Sequence, residues 1–182
     1  MRSINVNKNK KAQVWVETVV YTLIGLSVIA VLLAVAKPKI DSMKDKLVIE
    51  QTISSMNSID SKITSVKAGA EGNRRLVQEL KISKGKLIID ASSDEINWII
   101  NSKYEYSEAG TPAAVGNLNI LTQGTGPWDV NLNYSYTGLM DITYNGKNEV
   151  REINSAPTPY TLCVENMGAK GGTKIIVDIK EC

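Results

Sequence analysis

The stretch that decides the reading runs from Gln13 to Ala36, QVWVETVVYTLIGLSVIAVLLAVA. From Thr18 to Ala36 it holds 19 consecutive residues without a charge. A helix rising about 1.5 Å per residue makes this run about 28 Å long, close to the hydrocarbon thickness of a bilayer. Lys37 and Lys39 mark its far end, and Glu17 stands at its near end between Val16 and Thr18. A carboxylate at the edge of a spanning helix costs on the order of a few kcal/mol, so it calls for a function and a partner.

Working outward toward the N-terminus, Arg2, Lys8, Lys10 and Lys11 fall within the first 12 residues with no acid among them. The whole chain has 21 bases and 19 acids, so without this leader 17 bases face 19 acids. The basic character therefore belongs to the leader, which places the N-terminus on the cytoplasmic side and the body outside. Two ordinary readings compete. One is a secretory signal cut after the Ala-Val-Ala at 34–36, before Lys37; the other is a plain single-span anchor. Glu17 argues against both. A cut between Ala12 and Gln13 would instead make Glu17 the fifth residue of the mature chain. The new α-amino group of Gln13 would then meet Glu17 of a neighbouring helix, pairing two charges and setting an axial register.

The segment K-K-A-Q-V-W-V-E-T-V-V-Y-T-L-I-G-L, residues 10–26, resembles the class III signal peptide of archaeal type IV pilins. The resemblance implies that a prepilin peptidase cuts on the cytoplasmic side and that the hydrophobic stretch is retained as a filament core. It assigns Lys10 and Lys11 to the basic leader, Ala12 and Gln13 to the processing junction, and Glu17 to assembly. Bacterial pilins usually carry Gly before the cut and Phe after it, so Ala12 and Gln13 favour the archaeal branch. Archaellins share the signal logic, but Trp15 and Glu17 look more like the adhesive-pilus type.

Toward the C-terminus, Pro38 lacks a backbone donor and is expected to kink or interrupt the helix. Beyond it Ile40, Met43, Leu47, Ile53, Met56, Ile59, Ile63 and Val66 recur at mostly three- and four-residue spacing. That period predicts an amphipathic helix with one stripe packed on a globular body. Ala68 to Asn73 carries two glycines and ends the helix. Short strands are then expected over 76–82 and 87–90 around a hairpin-like Ser-Lys-Gly-Lys, and over 96–100, 103–106, 119–122, 130–136, 139–144, 150–153, 160–165 and 174–179. Ser92 to Glu95 is read as able to cap a short helix instead of the strand that follows. Asn145-Gly146 is a hairpin turn signal. The expected fold is α+β, with a cleaved leader 1–12, a long N-terminal helix 13–67, and a head 74–182 built as an antiparallel β-sandwich or barrel.

There is no histidine, which removes Ser-His-Asp, Cys-His and His-ligated metal chemistry. A near-balanced charge gives no reason to expect nucleic acid. Cys163 and Cys182 would form one disulfide outside the cytosol, or remain two thiols. A simple hairpin would set Cys163 opposite about residue 176, so the bond would need the tail to turn back; it would be worth about 3 kcal/mol. Asn133-Tyr134-Ser135 is an N-glycosylation sequon whose Asn133 should point outward from a strand. Asp90, Asp94 and Glu95 match no calcium-loop spacing and read as a solvated loop. Gly124 to Pro127 reads as a turn, Arg74-Arg75 as an exposed edge, and Gly25 as a weak helix-approach signal.

These residues predict a structural protein and not an enzyme, with no metal site and no cofactor. It would be the subunit of an extracellular pilus-like filament, serving adhesion. Its partners would be further copies of itself, the prepilin peptidase and assembly machinery, and the membrane before assembly. The alternatives are a membrane-anchored binding module that does not polymerise, and a motility filament subunit of the archaellin kind.

Overall fold

The computed structural model describes residues 9–169, 171 and 174–182, with side chains from Val14. The chain is α+β. Among the described residues, helix α1 (Asn9–Lys67) precedes β1 (Arg74–Leu80), β2 (Lys86–Asp90), β3 (Glu95–Ser102), β4 (Ala113–Val115), β5 (Leu118–Gln123), β6 (Trp128–Ser135), β7 (Asp141–Tyr144), β8 (Val150–Asn154), β9 (Tyr160–Asn166) and β10 (Ile176–Glu181). The chain divides into two units, Met1–Asp41 and Ser42–Cys182.

In the first unit the backbone stays helical through Pro38, so the interruption expected there does not occur. The proline removes one donor, and the bonds on either side hold the helix together.

In the second unit, α1 supplies one side of the core. Ile49, Ile53, Met56, Ile59, Ile63 and Val66 are buried, and their spacing puts them on one helical face. Ile40, Met43 and Leu47 do not join that stripe, being 50, 67 and 57% exposed. The step from Leu47 to Ile49 turns the helix by about 200°, which puts the two sets on different faces. Tyr134 Oη donates to Asn57 Oδ1 at 2.6 Å and Tyr136 Oη to Asp60 Oδ1 at 3.0 Å, tying β6 to the helix. Burial, and the nearby Asp60 carboxylate, push both phenols up, so each remains a donor. From β9, Asn166 Nδ2 caps the helix end by donating to the carbonyls of Val66 at 3.1 Å and Gly69 at 3.0 Å.

The strands form a four-stranded sheet, β1-β9-β10-β7, and a six-stranded sheet, β4-β5-β6-β3-β2-β8. Their inner faces meet one core that includes Trp98, Ile100, Leu132, Leu162, Val164 and Ile179. All pairings are antiparallel except β7 with β10, which run parallel. The fully antiparallel sheet expected from the sequence is corrected at that pair.

Two expected hairpins are also corrected. Ser-Lys-Gly-Lys does not join paired strands, because β1 pairs with β9 while β2 pairs with β3 and β8. Asn145-Gly146 does make a tight turn, closed by Tyr144 N to Lys147 O at 2.9 Å. The chain then leaves β7 for β8 in the other sheet. A hairpin does form through residues 91–94, between β2 and β3, where a capped helix was the other reading. Residues 103–106 form no strand, and β4 is an added one.

Candidate functional site

The most unusual surface is the N-terminal part of α1. Val14, Trp15, Tyr21, Leu26 and Leu33 are each more than three-fifths exposed, and the helix is long and apolar enough to cross a membrane. Such an uncovered apolar surface marks a membrane or assembly interface. Three of its hydroxyls are already satisfied locally. Thr18 Oγ1 donates to Val14 O at 2.9 Å, Thr22 Oγ1 to Val19 O at 2.8 Å, and Ser27 Oγ to Leu23 O at 2.8 Å. Spending these donors on the helix's own carbonyls lets the residues enter an apolar medium at little cost.

Glu17 lies exposed on this helix. Among the described residues its carboxylate has no recorded hydrogen-bond or ion-pair partner, and its compensating charge must come from elsewhere in an apolar environment. Lys10, Lys11, Ala12 and Gln13 fall in the first turns of α1, where the backbone alone is described. The leader from Met1 to Lys8 lies outside the described residues.

Cys163 and Cys182 are joined by a disulfide with Cα atoms 5.7 Å apart. No reversal of the tail is needed. The ladder sets Lys180, not residue 176, opposite Cys163, and it continues to Cys182 N, which donates to Thr161 O at 3.0 Å. Cys163 is buried, and the Arg74 guanidinium lies against both sulfurs. Arg75 turns to Asn73 Oδ1 at 2.9 Å.

Asn133 is half-buried on the outer face of the six-stranded sheet. Its Nδ2 donates to Asn97 Oδ1 at 2.7 Å and to Glu95 Oε2 at 3.1 Å, so the nitrogen a glycan would need is already in use. The three acids of the β2–β3 turn do not converge. Asp90 Oδ1 accepts from Ser92 N, Ser92 Oγ and Ser93 N, while Asp94 Oδ1 accepts from Ile142 N at 2.8 Å. Among the described residues no group of three possible metal ligands is found. Gly124 to Pro127 links β5 to β6, and Gly25 has open space beside it.

One feature escaped the sequence reading. Asn97, Asn133 and Asn119 form a row across β3, β6 and β5. The alternation of Val130-Asn131-Leu132-Asn133 shows that Asn133 shares its face with a further amide, Asn131. Only the register brings in the others.

No protein-family model, curated protein or solved structure matches the chain.

Proposed function

We propose that the chain is the subunit of an extracellular filament of the type IV pilus kind, cut between Ala12 and Gln13 and polymerised through α1. The observation that carries this reading is the 19-residue uncharged run on an uncovered helix, with Glu17 at its start and a basic leader before it. Before assembly the run sits in the membrane. In the filament the same surface packs on other copies, where burial of apolar area contributes about 25 cal/mol per Å². Glu17 pairs with the amine of a neighbouring Gln13 and fixes the stagger. The disulfide-bonded β-rich unit suits an oxidising exterior, and it carries the adhesive role.

The second reading is a single-span binding module that does not polymerise. It is favoured by a helix that is already long enough to cross a bilayer. Two measurements separate the readings. Sequencing the mature N-terminus should give Gln13; a start at Met1 or Lys37 would overturn processing. Glu17→Ala should leave membrane insertion intact while filaments, counted by electron microscopy, are lost or strongly reduced. Normal filaments from this variant would remove the register role. A loss of swimming with attachment intact, on deleting the gene, would favour the archaellin-like alternative.

A further inference from the structure

We propose that the amide-lined outer face of the six-stranded sheet binds a neutral, hydroxyl-rich ligand, a glycan chain displayed on a surface. The row Asn97, Asn133, Asn119 crosses three adjacent strands, so its side chains repeat at about 4.8 Å. One pleat along, Asn131 stands between Ile99 and Leu121. These amides open into a cleft of about 500 Å³, with Pro112 and Leu121 as apolar walls, a size that suits a small ligand or one segment of a chain.

The chemistry selects the ligand. A carboxamide offers two donors and two acceptor sites, and so matches hydroxyl groups that both give and accept. The cleft lining holds one acid, Glu95, and no base, so it has nothing to hold an anion. Glu95 is itself occupied by Asn133 Nδ2 at 3.1 Å. The two bonds from Asn133 Nδ2 to Glu95 and Asn97 hold the row in place. Asn133 Oδ1 and the Asn97 amide nitrogen take no part in these two bonds. Asn131 Oδ1 is buried and has no donor among the described residues.

An extended peptide is disfavoured because it adds at a sheet edge through its backbone. The cleft lies over β3, β5 and β6, which are flanked on both sides by other strands, whereas the edges are β4 and β8. The proposal deepens the adhesive role above and rests on that reading for its context. It does not depend on polymerisation.

The test titrates the full chain, unassembled in detergent micelles, with cellohexaose, maltohexaose, mannohexaose and chitohexaose, and follows side-chain amide signals by NMR. At least one should bind with a Kd in the millimolar range or tighter and shift Asn119 and Asn131. Asn119→Asp, at an exposed position, should weaken binding by about tenfold, while Ser54→Ala on the helix should not. Binding of none of the four, shifts confined elsewhere, equal affinity in N119D, or binding of an extended peptide on this face instead would each overturn the proposal. A mature N-terminus at Met1 or Lys37 would sink the processing reading and leave this result untouched.

Discussion

Asp90 shows how one side chain fixes a turn. Its carboxylate accepts from the Ser92 hydroxyl and from the backbone of Ser92 and Ser93. The Ser92 hydroxyl bond is the largest cause holding its pKa below the ordinary carboxylate value, with burial opposing and the Ser93 and backbone bonds assisting. A folded pKa below the unfolded one gives stability that is present above about pH 4 and is lost as pH falls through the folded value. Asp90→Asn should therefore be less stable than wild type near neutral pH, and the gap in urea midpoints should narrow in acid. Gly85 makes a second case. Its φ is +80°, and a Cβ there would overlap the Ile99 carbonyl oxygen. Gly85→Ala should lower stability by more than about 1 kcal/mol, read from the urea midpoint. The sequence marked this Ser-Lys-Gly-Lys segment as a turn because turn chemistry is local. It held no sign that the strands on either side belong to different sheets.

At the scale of elements, α1 and the β9–β10 pair carry the arguments. The stripe from Ile53 to Val66 was legible because helical period is a local property, and those residues are buried. Extending it back to Ile40 failed because the spacing breaks between Leu47 and Ile53, and that break shifts the phase of the two apolar sets. The β9–β10 register was misjudged in the same manner. A turn signal locates a reversal, while the pairing that follows is set by which side chains reach the core. Val164 opposite Ile179, both buried, fixes that choice here. The resulting disulfide closes a span of 19 residues. Cys182→Ser, or reductant on the wild type, should therefore lower stability by about 3 kcal/mol, seen as a drop in the denaturation midpoint. Cys182 is the better position to change, because a hydroxyl at buried Cys163 would add a cost unrelated to the bond.

At the scale of the whole molecule, the second unit is one core shared by a helix and two sheets. Ile63 is fully buried in it. Ile63→Ala should cost about 2–5 kcal/mol, and the helical and sheet signals of this unit should shift together in thermal melts followed by circular dichroism. Separate shifts would show that the helix is only an appendage. The first unit makes the opposite demand, since its apolar residues find nothing to cover them among the described residues. That contrast within a single helix is why filament assembly is proposed for its N-terminal part.

The sequence by itself determined the long apolar helix, its uncharged span, the place of Glu17 and the change to β texture after Asn73. Each of these is written in consecutive residues and needs no partner. Only the tertiary structure decided which strands pair, that β7 and β10 run parallel, that Cys182 reaches Cys163 without a turn, and that four asparagines share one face. Those features depend on residues far apart in the chain, and burial of alternating side chains against a common core selects among turns that all look alike locally.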